Sequence, residues 1–258
     1  NKENRGLAFG IHKAFDKAGA ILGPLIAYVM LKILGQSMVT LKLIFLVAFI
    51  PAVIAVFTLI FIKEKNEKPI PKENIFLAFK TLSPSFKKYL LIASFFSIAY
   101  FSYGFLLLKA YLVGFSITNV VLLYAFFNLF FVLFAVPFGK LGNMIGRKNV
   151  IKLSYLIYAL LCFGLIFADK KWEVLSLFAL FGIFYSIDES QTKAYIFDLE
   201  IKKRGSAIGV YNLFTGVMYL LASVIAGVLW TININYAFVF SGVIAVSSLI
   251  LLHLTNIE

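Results

Sequence analysis

The chain has 258 residues, of which 62% are hydrophobic and only 14% are Asp, Glu, Lys or Arg. A soluble domain carries about 25% charged residues, so this composition excludes an ordinary soluble protein and indicates an all-α membrane protein with several spans. The net charge of +12 would suggest nucleic acid in a soluble protein. Here the basic residues lie between apolar runs, so the expected partner is the lipid bilayer and no nucleic acid.

Eight apolar segments follow one another, each about long enough to cross a bilayer as a helix, which takes about 20 residues. They lie at 5–33, 39–62, 88–111, 117–138, 150–168, 174–197, 205–230 and 233–254. The stretch 63–87 between the second and third segments is rich in Lys, Glu and Pro. We therefore predict a linker at 63–87 that separates a first part, 1–62, from a second part, 88–258.

Basic residues divide unequally between the two sides of the membrane. With eight spans, 19 of the 24 Lys and Arg residues lie on the side of both chain ends, and the other five are Lys32, Lys42, Lys109, Lys170 and Lys171. Cytoplasmic loops retain basic residues. The sequence thus predicts a multi-pass protein of the cell (cytoplasmic) membrane, with both ends of this chain in the cytoplasm and the linker cytoplasmic as well.

The first segment combines small residues with two titratable ones. Gly19 and Gly23, followed by Pro24, allow a close helix contact and a kink. His12 and Asp16 fall on the same narrow helical face as the two glycines. Two interpretations of Asp16 stay open: it lines a water-filled cleft, or it lies at the interface and is balanced by the neighbouring lysines.

A short basic turn joins the fourth and fifth segments. Its distinctive residues are Gly139, Leu141, Asn143, Gly146, Arg147 and Lys148. The spacing G-x-L-x-x-x-x-G-R-K resembles the loop signature of the major facilitator superfamily of secondary transporters, which usually has Asp in the place of Asn143. The resemblance implies a cytoplasmic gate in which Arg147 pairs with an acid at the end of the sixth segment, where Asp198 lies.

An internal repeat points to the same family. The stretch that begins RGLAFG at Arg5 recurs as RGSAIG at Arg204, an offset of 199 residues, and parallel repeats build the two six-helix halves of this superfamily. The resemblance implies that 1–62 holds the last two helices of the N-terminal bundle and 88–258 a complete six-helix C-terminal bundle. Four helices would then precede this chain in a longer protein. The Gly19–Pro24 stretch is also similar to the signature of the family's proton-linked antiporters.

The sixth segment contains a polar run inside an otherwise apolar helix. Glu189 lies nine residues before Asp198, about 13 Å deeper at 1.5 Å per residue, and a carboxylate at that depth needs a partner or water. Lys193 follows one turn later, so a structural ion pair is one interpretation and a proton or substrate site the other. Asp188 points about 100° away from Glu189, so only one of the two is expected to face a cleft. Gln191 belongs to the same run.

The function that these features favour is secondary active transport by alternating access, as proton-coupled efflux of a drug-like or metabolite substrate. Two alternatives remain: uptake of a sugar or metabolite by symport, and a receptor or membrane-embedded transferase that transports nothing. We expect no enzyme activity, because no Walker loop, HExxH or GxSxG stretch is present. No cofactor or metal is expected either, since the single cysteine and two histidines are far apart. The expected oligomeric state is a monomer.

Overall fold

The computed structural model describes residues 5–61 and 75–257, and this part of the chain contains helices and turns but no strand. Its ten helices are α1 (Arg5–Leu34), α2 (Met38–Leu59), α3 (Ile75–Thr81), α4 (Pro84–Ala99), α5 (Gly104–Leu112), α6 (Ile117–Ile145), α7 (Arg147–Phe167), α8 (Lys171–Leu199), α9 (Arg204–Ile232) and α10 (Ile234–Leu254). Helices α1 and α9 begin at the two arginines that open the internal repeat. The predicted all-α membrane fold is therefore confirmed.

Local sequence signals set several helix boundaries. The side chains of Ser37, Ser83, Ser116 and Asn233 accept a hydrogen bond from a backbone N–H in the first turn of α2, α4, α6 and α10. Such caps satisfy N–H groups that have no partner inside the helix. Between α6 and α7 the chain reverses at Gly146, whose φ of 87° is a left-handed conformation that glycine adopts without strain.

The helices from α4 to α10 form one bundle. Helix α7 packs between α8 and α10, α4 packs against α9 and α10, and α6 packs against α8. Helix α1 lies along α6 and also reaches α8, while α2 packs on α1. Aromatic side chains fill the bundle centre, where the rings of Phe96 and Tyr155 stack with centroids 3.8 Å apart.

The outer surface of the bundle suits lipid. Phe45, Leu133 and Val224 are 77%, 57% and 58% exposed, and an apolar surface of this extent is stable in hydrocarbon rather than in water. Within the described residues, seven spans are long and apolar enough to cross a membrane, with α4 and α5 counted as one. Helix α8 is 29 residues long but carries the polar run. It is the remaining span that the sequence predicts.

Three predicted boundaries are wrong. The third segment, 88–111, is two helices separated at 100–103. The fourth segment continues through the basic turn to Ile145, so the chain reverses at Gly146 alone. Part of the predicted linker is helical, because α3 covers Ile75–Thr81 and α4 begins at Pro84. Residues 63–74 of that linker lie outside the described residues.

The break between α4 and α5 is stabilised by a side chain of α7. The buried hydroxyl of Tyr158 donates to the carbonyl of Ala99 at 2.8 Å and accepts from the N–H of Phe101 at 3.3 Å. The same two backbone groups also bond to each other, since the N–H of Phe101 donates to the carbonyl of Ala99 at 3.0 Å, so the Tyr158 hydroxyl reinforces a turn at the break. A discontinuous span can persist in a membrane only where such partners exist.

Candidate functional site

The polar run of α8 presents different residues to different neighbours. For clarity, the end of the bundle with the α6–α7 turn at Gly146 is called the motif end, and the end with the turns at 35–37 and 113–116 is called the far end. Glu189 reaches Lys13 on α1. Asp188 and Thr192 border a cavity against α9, which Glu189 and Lys193 also line. Gln191 faces α6.

Glu189 forms ion pairs with two lysines. Its Oε2 atom lies 3.0 Å from the ammonium of Lys193 and 3.2 Å from that of Lys13 on α1. Glu189, Lys13 and Lys193, here called the bridging triad, therefore join α1 to α8 in the half of the bundle nearer the motif end. The sequence predicts the Lys193 contact from its spacing, but no local signal relates Lys13 to Glu189. Double pairing favours the ion-pair interpretation of Glu189 over the proton-site interpretation, because protonating this carboxylate would leave Lys193 without its ion-pair partner and would remove one of the two carboxylates beside Lys13.

The titratable residues predicted on the first segment lie mostly on the surface. His12 and Asp16 are 71% and 51% exposed at the side chain, with the imidazole Nδ1 3.7 Å from the Asp16 carboxylate. Lys13 also approaches Asp16, at 3.5 Å. Within residues 5–61 and 75–257, neither residue is held inside a closed cavity. This supports the interfacial interpretation of Asp16.

The glycines of the first segment do not mediate a close helix contact in the described part of the chain. No atom comes within 4 Å of the position that a Cβ would take at Gly19 or Gly23. Gly23 and Pro24 instead border a cavity of about 380 Å³ between α1, α5 and α6, which Tyr103 and Tyr124 also line.

Asp188 differs from Glu189 in its surroundings. Its carboxylate accepts one hydrogen bond, from the hydroxyl of Thr192 at 3.2 Å, and among the described residues no Lys, Arg or His forms an ion pair with it. It lines a cavity of about 100 Å³ together with Glu189, Thr192, Lys193, Tyr211, Asn212, Thr215 and Tyr219. Asp188 therefore differs from Glu189 in having no ion pair within the described residues.

Tyrosines surround this cavity, which is here called the Asp188 cavity. The rings of Tyr219 on α9 and Tyr100 at the α4–α5 break lie 5.1 Å apart, and Tyr219 lines the cavity. Tyr89 reaches the same network through Thr192, at 3.4 Å. These tyrosines lie far apart along the sequence, and no sequence pattern predicts that they belong to one site.

The predicted contact between Arg147 and Asp198 is present. The Nε of Arg147 donates to Asp198 Oδ2 at 2.7 Å, and its Nη1 donates to the side-chain oxygen of Gln191 at 3.3 Å. Gln191 in turn donates to the carbonyls of Phe138 and Gly139 on α6. Arg147 is only 7% exposed, so this network ties the ends of α6, α7 and α8 together away from water.

The other residues of the basic turn have separate roles. A Cβ at Gly142 would overlap the side-chain amide of Gln191, so glycine allows that amide to reach the α6 carbonyls. Lys148 donates to the carbonyl of Thr255 at 2.7 Å, beyond the end of α10. Leu141 is half-buried and Asn143 is exposed. In the described ranges no group of three His, Cys, Asp or Glu side chains is arranged to hold a metal.

A larger cavity carries no comparable chemistry. It measures about 490 Å³ and lies between α1 and α6. Its lining is apolar except for Asn119, with Leu25, Leu122 and Phe126 as typical members. Polar chemistry is therefore concentrated at the Asp188 cavity and the bridging triad.

Comparisons with known proteins agree with this architecture. The sequence profile of the Major Facilitator Superfamily matches residues 1–168 and, in a second match, 90–257. An uncharacterized MFS-type transporter of Methanocaldococcus jannaschii is 34% identical over 254 residues, which cover 96% of this chain and 63% of that protein. Multidrug resistance protein 2 of Bacillus subtilis is 24% identical over 112 residues, 43% of this chain and 28% of that protein. This chain spans less than two thirds of the length of either relative. The profile match and the 34% identity show that it belongs to the Major Facilitator Superfamily.

Proposed function

We propose that the chain is part of a secondary transporter that exports a small solute in exchange for protons, by alternating access with the motif end in the cytoplasm. The observation that carries this proposal is the contrast between two adjacent carboxylates of α8. Glu189 is held by two lysines, whereas Asp188 has no ion pair among the described residues. Glu189 is thus held in a contact between helices, whereas Asp188 can bind and release a proton.

The bridging triad accounts for the closed state of the motif end. Lys13 belongs to the first part of the chain and Glu189 to the second, so their 3.2 Å contact is made only while α1 and α8 lie close together. When the two parts separate, Glu189 keeps Lys193, which is on its own helix at 3.0 Å. The carboxylate is therefore paired in both states, and opening costs one ion pair rather than a buried unpaired charge.

Asp188 supplies the coupling. Asp188 is half-buried and makes no ion pair among the described residues. Partial loss of hydration disfavours its charged form, and taking up a proton removes that cost. Protonation therefore changes the charge of the cavity between α8 and α9. The proton and an exported solute that use the same carboxylate exclude one another, which is the condition for exchange rather than co-transport.

The family and the named relatives support transport, since a multidrug resistance protein is among them. A symporter would need proton and solute to bind together. The Asp188 cavity, at about 100 Å³ and with one carboxylate free of ion pairs in the described residues, favours exchange.

Distances between spin labels test this proposal without a known substrate. Labels at His12→Cys on α1 and Lys202→Cys after α8, in the full-length protein in liposomes, should show a short and a long population at the motif end. Their ratio should change with pH, because protonated and ionised Asp188 favour different states. Asp188→Asn should fix the ratio at all pH values, and Lys13→Met should increase the long population.

The matched control is Asp169→Asn, which removes a carboxylate that is 89% exposed at the far end and lies 4.0 Å from the ammonium of Lys109. This variant should keep the pH response of the wild type. A single population that does not change with pH, or an unaltered pH response in Asp188→Asn, would contradict the proposal.

A further inference from the structure

We infer that three lysines at the motif end bind the phosphate group of an anionic phospholipid, so that the protein carries a lipid site on its surface. They are Lys88 on α4 and Lys148 and Lys152 on α7, here called the lysine patch. None of them lines the Asp188 cavity. The inference therefore goes beyond the proposed function and depends neither on the solute nor on the proton.

The segment that follows α10 holds two of these lysines close together. The ammonium of Lys148 donates to the carbonyl of Thr255 at 2.7 Å, and that of Lys88 donates to the carbonyl of the next residue, Asn256, at 3.2 Å. Two positive charges from two different helices therefore lie beside one short stretch of backbone. An ammonium has three N–H donors, so both lysines keep donors for a further acceptor.

Lys152 adds a third positive charge on the same face of α7. It lies four residues after Lys148, and side chains with this spacing are neighbours on a helix surface. Two like charges at this spacing repel one another. Lys148 also lies in the first turn of α7, close to the positive end of the helix dipole. An anion beside the two lysines would remove both unfavourable interactions.

Carboxylates do not neutralise the lysine patch in the described part of the chain. Each ion pair found there involves a basic residue outside the patch. Asp198 is bound to Arg147 at 2.7 Å, and Glu200 accepts from the N–H of Ser83 at the start of α4. Glu258 lies outside the described residues, and one carboxylate neutralises at most one of the three positive charges.

Exposed leucines continue the surface of the patch into the membrane. Leu156 and Leu160 follow Lys152 on α7 at intervals of four residues and are 43% and 55% exposed. Leu91, three residues after Lys88 on α4, is 69% exposed. Lysines at the level of the headgroups with leucines below them match a phospholipid, in which acyl chains follow the phosphate. Free phosphate would contact only the lysines, so the structure favours the lipid as the occupant.

Fluorescence quenching by brominated lipids tests the inference at this surface. A bimane label on Leu156→Cys, in a full-length protein without other reactive cysteines, reports which lipid contacts α7. In phosphatidylcholine vesicles, brominated phosphatidylglycerol should bind there at least about fivefold more tightly than brominated phosphatidylcholine, because each lysine near an anionic surface strengthens binding about fivefold. Lys148→Gln combined with Lys152→Gln should remove most of that preference.

A matched control removes two positive charges at the motif end but outside the lysine patch. Lys80 on α3 and Lys202 after α8 are both exposed, and Lys80→Gln combined with Lys202→Gln should keep the preference of the wild type. Lys148→Arg combined with Lys152→Arg should keep it too, because the charges remain. Lys152→Gln alone leaves the bond between Lys148 and Thr255 intact. It should lower the preference several-fold, so the test holds even if the double variant does not fold.

Inorganic phosphate distinguishes a lipid site from a general anion site. Sodium phosphate should displace brominated phosphatidylglycerol no better than sodium chloride of equal ionic strength does. Equal quenching of the wild type by the two lipids would overturn the inference. So would an equal loss of preference in the patch variant and the control variant, or displacement of the lipid by phosphate at equal ionic strength.

Discussion

The substitution Gly142→Ala tests the network at the motif end, because it adds a single carbon atom. That carbon would overlap the side-chain amide of Gln191, which is fully buried and donates to the carbonyls of Phe138 and Gly139. The amide oxygen also accepts from Arg147 at 3.3 Å. Alanine at this position must therefore displace Gln191 and break these bonds together.

The expected cost follows from the bonds that are lost. A neutral hydrogen bond contributes about 0.5–1.5 kcal/mol and one to a charged group about 1.5–3 kcal/mol. Losing two neutral bonds and one bond to Arg147 costs about 2.5–6 kcal/mol, and the higher helix propensity of alanine offsets up to about 1 kcal/mol. The free energy of unfolding of Gly142→Ala should therefore fall by about 1.5–5 kcal/mol.

Denaturant or thermal unfolding of the purified full-length protein measures this change. Gly209→Ala on α9 is the matched control, since no atom lies within 4 Å of its added carbon, and it should be neutral or slightly stabilising. In a Gln191→Ala background, Gly142→Ala should cost nothing, because the overlapping amide is absent. Equal costs of Gly142→Ala in both backgrounds would refute the argument that Gln191 explains the glycine.

Three further predictions concern the gate, the broken span and the orientation. Arg147→Glu should impair transport and lower stability by about 3–5 kcal/mol, as expected when one partner of a buried pair is removed. Adding Asp198→Arg should restore part of both, and a double variant no better than the single would show that the pair is no gate. Tyr158→Phe should lower the free energy of unfolding by about 0.5–1.5 kcal/mol, because the bonds of its hydroxyl at the α4–α5 break are lost while the N–H of Phe101 still donates to the carbonyl of Ala99; an unchanged value would show that the break needs no such support. Single cysteines at Lys202 and Lys170, both exposed, should react with an impermeant thiol reagent from opposite sides of the membrane, and reaction from the same side would contradict the predicted orientation.

The sequence predicted features that depend on composition and on short spacings. The apolar segments gave the spans, and the pattern around Arg147 pointed to Asp198 because the family signature supplies that pair. The one-turn spacing of Glu189 and Lys193 gave their contact. Each of these predictions uses residues of a single apolar segment or of the single family motif around Arg147.

The remaining features depend on how helices pack. Lys13 reaches Glu189 only because α1 lies against α8, and no local pattern encodes that contact. The sequence indicated that one of Asp188 and Glu189 faces a cleft, but the rotation of α8 against α1 and α9 decides which. The break after Ala99 also had no strong signal, since Tyr158, far away in the chain, supplies two of the hydrogen bonds there.

The central claim is that Asp188 takes up the proton while Glu189 stays ionised between its two lysines. Infrared difference spectra of the full-length protein at acidic and alkaline pH test this directly, because a protonated carboxyl group has a C=O stretching band that a carboxylate lacks. The band should appear on acidification in the wild type and in Glu189→Gln, and it should be absent from Asp188→Asn. A band that persists in Asp188→Asn and disappears in Glu189→Gln would contradict the account and assign the proton to Glu189.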